Sequence, residues 1–381
     1  MIKTVCPLLW NHSFISTTNE IAPCCRARNE DVSDEWKQAQ ITDGITSKAH
    51  IKSREQMRNG EWPRACTVCK ISESKFGKSP RLSLVNEHDI DYSKEPQPND
   101  IRSIDVKFNN TCNLECVMCN ASSSSSIASF VEKHIDLAPP SMKRNLENDW
   151  QEQEKLDWCK TIIAHKRLET FKTTGGEPFA QKHFWALIDW CIEQRHTYFE
   201  IKITTNGTKF NKRFLEKLSK FKSVHICISC DGTDSVYEYI RHKGKWDSFV
   251  NNVKLFTDYV RLHPNTFQKP NLHCVLQAYN CHNITELYNF AELYNFNFTI
   301  DCFIHPKNSV FALDSVPLRI RKKLVKKLQY TEHEYLKKYV YMMQNYRHDK
   351  FKTKKLFTQT INLDKARNTN YKCLQLPFEL T

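Results

Sequence analysis

Three cysteines in one short stretch are the residues of this chain most able to carry chemistry. Cys112, Cys116 and Cys119 stand in the segment Cys-Asn-Leu-Glu-Cys-Val-Met-Cys. Iron–sulfur clusters are normally held by four cysteines, so three thiolates leave one iron of a cubane cluster without a protein ligand. A metal site with an open position serves substrate chemistry rather than structure. The spacing predicts an open [4Fe–4S] cluster, with a zinc knuckle that borrows a distant fourth ligand as the alternative.

A second group of cysteines lies near the start of the chain and can form a closed site. Cys6, Cys24, Cys66 and Cys69 would supply four thiolates, either to a second [4Fe–4S] cluster or to a structural zinc ion. Cys25 competes with Cys24 for one position, because adjacent cysteines rarely both reach one cluster. Most of the remaining cysteines lie in apolar runs and are interpreted as small buried hydrophobic residues.

Short strands alternate with helices around and after the three cysteines. The predicted strands cover residues 101–108, 168–174, 199–205, 224–230, 272–278 and 298–304, the last ending at His305-Pro306. The predicted helices include 183–194, 212–221, 246–262 and 284–293, and residues 122–126 read as a helix start. This alternation favours parallel βαβ units, whose reactive residues gather at the carboxyl ends of the strands.

The scarce glycines mark the same strand ends. The chain has only eight glycines, and Gly175, Gly176, Gly207 and Gly232 directly follow predicted strands. Glycine is needed where the backbone adopts unusual dihedral angles or approaches a ligand closely. We therefore expect a ligand at this edge of the sheet rather than a set of ordinary turns.

Length and composition set limits on the organisation. With 40% hydrophobic residues the chain can build a sizeable core. The sequence contains no uninterrupted run of 18 apolar residues that would predict a membrane span. The first residues lack the features of a signal peptide, so we expect a cytoplasmic protein. A polar, proline-containing link at 91–100 indicates a boundary. The predicted parts are a cysteine-rich segment at 1–95, an α/β domain at 96–310 and a basic helical extension at 311–381.

A net charge of +13 raises the question of nucleic-acid binding. The excess is concentrated late in the chain, at residues 319–327 and 350–355. The first of these runs has helical apolar spacing, so we interpret it as a solvated helix face. A face that binds a polyanion or an acidic peptide is the alternative, and nucleic-acid binding is not favoured.

The three cysteines, followed by Gly-Gly-Glu-Pro at 175–178 after the next strand, resemble the radical S-adenosylmethionine (radical SAM) superfamily. Residues 228–232, Ile-Ser-Cys-Asp-Gly, are similar to the fourth-strand region of its SPASM/twitch subgroup. The N-terminal cysteines are similar to the auxiliary-cluster segment of that subgroup, here placed ahead of the barrel. The resemblance implies a partial (β/α)6 TIM-like barrel, an N-terminal auxiliary iron–sulfur segment and a helical C-terminal extension.

The resemblance also implies a reaction. A [4Fe–4S] cluster on Cys112, Cys116 and Cys119 would bind SAM and cleave it reductively to methionine and a 5′-deoxyadenosyl radical. That radical would take a hydrogen atom from a peptide, a protein or a small alcohol, and the second cluster would assist oxidation. An electron donor such as flavodoxin or ferredoxin is implied. A radical SAM enzyme that modifies RNA and a non-catalytic zinc-binding module are the alternatives.

Candidate roles follow from the same resemblance. Gly175 and Gly176 would bring backbone groups to the SAM ammonium, and Glu177 would add a charge-assisted hydrogen bond. Met118 stands where many members carry an aromatic residue near adenine. Asn206 would contact the ribose or the carboxylate. A plain surface carboxylate is the alternative for Glu177.

Two further candidates would bind the SAM carboxylate, namely Ser229 and Arg241, because arginine offers a fixed fork of donors. A surface cation is the alternative for Arg241. Asp231 is the candidate catalytic base, although an aspartate at a strand end is often a structural hydrogen-bonding residue.

Overall fold

The computed structural model describes residues 4–27, 36, 38–85, 90–143, 149–302, 309–328 and 330–378. Within these ranges the strands are β1 (His12–Ile15), β2 (Ile21–Ala22), β3 (Ser103–Val106), β4 (Glu115–Cys116), β5 (Thr170–Thr173), β6 (Glu200–Thr205), β7 (Ser223–Ser229), β8 (Arg241–His242), β9 (Asn271–Leu276) and β10 (Asn297–Cys302). The α-helices are α1 (Leu8–Asn11), α2 (Lys48–Arg58), α3 (Thr67–Phe76), α4 (Pro80–Val85), α5 (Ser125–Lys133), α6 (Glu152–Ala164), α7 (Lys182–Glu193), α8 (Lys212–Leu218), α9 (Asp234–Ile240), α10 (Trp246–Leu262), α11 (Ile284–Leu293), α12 (Leu318–Val325), α13 (Glu334–Asn345) and α14 (Lys350–Arg367). None of these helices is long and apolar enough to cross a membrane.

The predicted α/β fold with parallel strands is confirmed. Each of the six predicted strands overlaps an observed one, and helices α10 and α11 have the predicted bounds. The predicted strand end at His305-Pro306 lies outside the described residues. Strand β1 was not expected, because four residues with the sequence His-Ser-Phe-Ile inside a cysteine-rich segment carry too little alternation to be recognised.

The chain divides into two compact units. The first comprises Met1–Asn109, Asn148–Ile203 and Lys217–Val224, and the second comprises Asn110–Glu147, Thr204–Glu216 and His225–Thr381. The domain limits expected after residues 95 and 310 stay predictions.

In the first unit, strands β1 and β2 of the cysteine-rich segment join the same sheet as the later strands β3, β5 and β6. Strand β1 is antiparallel to β2 and parallel to β3, and β3 is parallel to β5. Strand β5 is in turn parallel to β6. The register aligns Ile104, Phe171 and Ile201, all buried, on one face of these strands. Asp105 and Lys172 lie on the opposite face, so the alternation of the sequence separates an apolar from a polar face.

The cysteine-rich segment of the first unit has a small core of its own. Its buried members include Val5, Leu9, Trp10, Ile21, Trp36, Ala49 and Met57. The buried Arg54 of α2 donates to the carbonyl oxygens of Leu9 (2.8 Å) and Ile45 (2.9 Å) and pairs with Glu95. The segment therefore has packing and hydrogen bonds that do not depend on a bound group.

In the second unit, β7 pairs in parallel with β9, and β9 with β10. A separate short antiparallel ladder joins β4 to β8, with Cys116 opposite Arg241. Helix α10 buries Phe249, Val253 and Phe256, which share one helical face.

The basic run at 319–327 forms helix α12 with Lys322 and Lys323 exposed, as the solvated-face interpretation requires. Arg321 is an exception to that interpretation. It is fully buried and donates to the carbonyl oxygens of Val316, Met343 and Tyr346.

Candidate functional site

The cysteine loop of the second unit is held at its backbone on two sides. The β4–β8 ladder is extended by the amide of Val117, which donates to the carbonyl oxygen of Ile240 at 2.8 Å. Helix α5 then begins as expected, and its cap Ser124 accepts a hydrogen bond from Ile127 N and donates to Leu114 O. The short strand and the capped helix therefore fix the loop that carries the three cysteines.

The thiol of Cys116 is affected electrostatically by the other two thiols of the loop, and two side-chain donors lie beside the group. Burial raises the pKa of Cys116, and the neighbouring Cys112 and Cys119 raise it further, whereas Arg241 lowers it. Arg241 Nη1 lies 4.0 Å from Cys116 Sγ, and Asn206 Nδ2 lies 3.9 Å from Cys112 Sγ. Donors at these positions favour the thiolate form that a metal requires.

Arg241 and Asp231 form a buried ion pair, so the surface-cation alternative for Arg241 is wrong. Arg241 is 5% exposed, Asp231 is fully buried, and Nη2 lies 2.7 Å from Oδ2. Burial lowers the pKa of Arg241, but Asp231 and Cys116 outweigh burial and raise it. Asp231 Oδ1 also accepts from Val275 N at 2.8 Å. This arrangement favours an orienting role for Asp231 over that of a base.

Asn206 connects the end of β6 to the cysteine loop. Its Nδ2 donates to Asn113 Oδ1 at 3.1 Å, and its Oδ1 accepts from the backbone and hydroxyl of Thr208. Ser229, the last residue of β7, and Met118 in the loop are both half-buried. The second unit therefore contains the predicted Asn206, Ser229, Arg241, Asp231 and Met118.

The first unit contains the glycine turn. Gly175 and Gly176 have φ angles of 80° and 56°, which favour glycine. Glu177 is fully buried, and its Oε1 accepts from Phe179 N at 3.1 Å, so the surface-carboxylate alternative is wrong. Gln181 Nε2 donates to Gly175 O at 2.8 Å, and this hydrogen bond stabilises the turn.

Replacement of Gly175 by alanine is expected to destabilise the protein more than the same change at Gly60. Both glycines have φ near 80°, where alanine costs about 1–2 kcal/mol. A Cβ at Gly175 would also lie 2.7 Å from Lys107 Cδ, whereas one at Gly60 would meet nothing within 4 Å. Urea unfolding of the two variants measures the difference. Equal losses would show that Lys107 does not restrict the turn.

The N-terminal cysteines line one cavity of the first unit. The cavity measures about 100 Å³, and its walls include Cys6, Cys24, Cys25, Cys66, Cys69 and Arg81. Burial raises the pKa of Cys6 to about 12 and that of Cys24 to about 11, and neighbouring thiols add to both shifts. Burial is the main reason that these thiols stay protonated, and a metal bound here would have to take them as thiolates.

Cys24 and Cys25 differ in their surroundings. Cys25 is exposed, and its Sγ accepts a hydrogen bond from Lys172 Nζ at 3.6 Å. Cys24 is more buried, and its pKa is raised by burial and by the neighbouring thiols of Cys25 and Cys69. The choice of Cys24 as the fourth ligand stays a prediction. Among the described residues, no three His, Cys, Asp or Glu side chains converge as ligands of one metal ion would.

One contact to the cysteine loop comes from a region where the sequence indicated no functional residue. Arg367, at the end of α14, is half-buried and donates to Glu115 O at 2.6 Å. Glu115 precedes Cys116, so the C-terminal helix supports the backbone of the loop. The two residues are 252 positions apart, and no local pattern connects them.

Comparison with known proteins finds one family model that matches part of the chain. Residues 106–266 match the model described as the radical SAM superfamily. The chain is 29% identical over 139 residues to the mycofactocin maturase MftC of Mycobacterium ulcerans (strain Agy99), covering 35% of this chain and 34% of that protein. The chain therefore spans about a third of the length of the curated relative that it matches.

Solved structures show distant likeness. Native anSMEcpe with bound AdoMet has a TM-score of 0.43 and 17% identity, covering 59% of each chain. Streptococcus suis SuiB bound to its precursor peptide SuiA has a TM-score of 0.38 and 16% identity, covering 70% of this chain and 58% of that chain.

Proposed function

We propose that this chain is a radical SAM enzyme that abstracts a hydrogen atom from a peptide or protein substrate. The observation that carries the proposal is the cysteine loop within the matched region, where Arg241 lies beside the thiol of Cys116 and Asn206 beside that of Cys112. A [4Fe–4S] cluster on Cys112, Cys116 and Cys119 would, with bound SAM, supply a 5′-deoxyadenosyl radical for that step.

Residues of the second unit fit the binding of a carboxylate. The buried Nε of Arg241 has no hydrogen-bond partner among the described residues, although Nη2 is held by Asp231. A buried donor without a partner is costly unless a ligand satisfies it. Arg241 would therefore hold the SAM carboxylate, and Asp231 would keep the guanidinium in the required orientation.

In the first unit, Gly175, Gly176 and the buried Glu177 would bind the SAM ammonium. Glycine adopts these positive φ angles readily, and because it has no Cβ its backbone polar groups can approach a ligand closely. Glu177 already caps the turn that follows, since its carboxylate accepts from Phe179 N. This contact fixes the carboxylate, so that it would meet a cationic group without rearrangement.

The cavity lined by Cys6, Cys24, Cys66 and Cys69 would hold a second [4Fe–4S] cluster. Such a cluster would accept or donate one electron during oxidation of the substrate. Arg81 Nη1 donates to Val5 O at 2.7 Å, and the guanidinium pairs with Glu73, so a fixed cation stands at the cavity wall. That cation favours an anionic thiolate-ligated cluster.

Replacement of Cys24 by serine is expected to remove about four irons from the anaerobically reconstituted protein. The matched change at Cys25 is expected to leave the iron content unchanged, because Cys25 is exposed and bonds Lys172. Iron and sulfide analysis of both variants measures this difference. Loss of iron in the Cys25 variant alone would reverse the assignment of the fourth ligand.

A peptide or protein is the proposed substrate class because the N-terminal cysteines and residues 228–232 resemble a subgroup that modifies peptides, and because the curated relative is named a maturase. The electron would come from a small donor protein such as flavodoxin or ferredoxin. The test is anaerobic incubation with SAM and dithionite, followed by measurement of 5′-deoxyadenosine. Protein with full iron content that never forms this product would disprove the proposal.

A further inference from the structure

Lys155 of helix α6 is an unusual buried cation in the first unit. Its side chain is fully buried, and Nζ lies 3.0 Å from Ser16 O, 3.2 Å from Thr17 O and 3.0 Å from both Lys107 O and Phe108 O. These four carbonyl groups directly follow strands β1 and β3. One ammonium group therefore ties together the carboxyl ends of two adjacent parallel strands.

Asn109, the residue that follows Phe108, is held by the side chains of Glu152 and Gln181. Asn109 Nδ2 donates to Glu152 Oε1 at 2.9 Å, so helix α6 contacts the segment 107–109 twice. Gln181 is 1% exposed, and its Nε2 donates to Asn109 O (3.2 Å) and to Gly175 O (2.8 Å). A single amide nitrogen thus joins the strand end that leads toward Cys112 to the first glycine of the turn.

Side-chain packing adds a third link between the same two segments. The Lys107 side chain runs so close to Gly175 that an added Cβ would lie 2.7–3.0 Å from its carbons. Lys107 Nζ lies 5.3 Å from the centroid of the Phe14 ring, which directs the side chain along the sheet face. These contacts therefore fix the position of the segment 107–109 relative to the glycine turn.

Stability alone is a poor reason for such an arrangement. Burying a charged group carries a large desolvation cost, and apolar residues of similar volume are often equally stable in its place. The carbonyl groups after β1 and β3 could remain in water at an ordinary strand end. What Lys155 and Gln181 add is a defined position for the backbone that surrounds the glycine turn.

We infer that Lys155 and Gln181 are positioning residues that hold the segment 107–109 against the turn at Gly175 and so set the geometry of the SAM site. The inference rests on the proposed function. Neither side chain is expected to touch SAM. Both act through the backbone: Lys155 through Lys107 O and Phe108 O, and Gln181 through Asn109 O and Gly175 O.

The test compares SAM binding in Gln181→Met with the parent protein, both anaerobically reconstituted. Methionine keeps the shape of glutamine but lacks the donor, so Gly175 O and Asn109 O each lose a hydrogen bond. The dissociation constant for SAM is expected to rise about tenfold, which corresponds to about 1.4 kcal/mol, with unchanged iron content. Gln153→Met is the control, because Gln153 is exposed and bonds Asp157 on its own helix.

A milder variant, Gln181→Asn, keeps the amide but shortens its reach, and it is expected to raise the dissociation constant by a smaller factor. This variant tests the inference if Gln181→Met loses its fold, which thermal unfolding would reveal. Dissociation constants within twofold of the parent in a folded Gln181 variant would overturn the positioning role while leaving the proposed function intact. A parent protein with full iron content that does not bind SAM would overturn both.

Discussion

Replacement of Cys112 by alanine is expected to abolish formation of 5′-deoxyadenosine. The loop offers three thiols, and a cluster that already lacks one protein ligand cannot keep its place with only two. The variant should also lose about four irons while the N-terminal group keeps its own. Product analysis after anaerobic incubation with SAM and dithionite, together with iron analysis, measures both effects.

The control for this variant is Cys373→Ala. Cys373 is exposed and belongs to neither cysteine group, so iron content and product formation should match those of the parent. The loop backbone is held by Ile240, Ser124 and Arg367 rather than by the Cys112 thiol, so the Cys112 variant should remain folded. Product formation at the parental rate in a Cys112 variant that has lost its iron would refute the assignment of this loop.

Replacement of Asp231 by asparagine is expected to lower the free energy of unfolding by about 3–5 kcal/mol, because it leaves Arg241 buried without its charge partner. Asparagine retains an oxygen that can accept from Val275 N, so the loss would report the ion pair. Chemical denaturation of the reconstituted protein measures it. The double variant Asp231→Asn with Arg241→Met should recover part of the loss, because coupled residues are not additive.

The same variant distinguishes the two roles considered for Asp231. A catalytic base would lose product formation while stability, SAM affinity and iron content stayed near those of the parent. An orienting residue would lose stability and SAM affinity together, because Arg241 would no longer be fixed. Full stability in Asp231→Asn would therefore contradict the structural interpretation.

The strands and helices that carry the site were predictable because their sequences alternate with the correct periods. Helix α10 has apolar residues at helical spacing from Trp246 onward, and its predicted and observed bounds agree. The Gly-Gly-Glu-Pro motif favoured a functional Glu177 over a surface carboxylate, and the burial of this residue agrees with that preference. The contact with Phe179 N is local, because Glu177 caps the turn at Pro178–Ala180, whereas the complete burial of its side chain depends on the tertiary fold.

The position of Lys155 in its helix is a sequence feature that indicates a buried cation. Helix α6 buries Leu156, Cys159 and Ile163 on one face, and Lys155 falls within the same apolar stripe. A lysine in that position indicates a buried cation that needs acceptors. The sequence could not show that the acceptors are backbone carbonyl groups after β1 and β3, because every residue carries the same carbonyl group and the two strands are far apart in the sequence.

The contact between Arg367 and Glu115 O has a consequence for the order of events during biosynthesis. A ribosome must add some 252 further residues after Glu115 before the guanidinium that braces it exists. A carrier that delivered iron and sulfide to the nascent polypeptide would meet a cysteine loop without this brace. Assembly of the proposed cluster on a braced loop would therefore require that synthesis has passed Arg367.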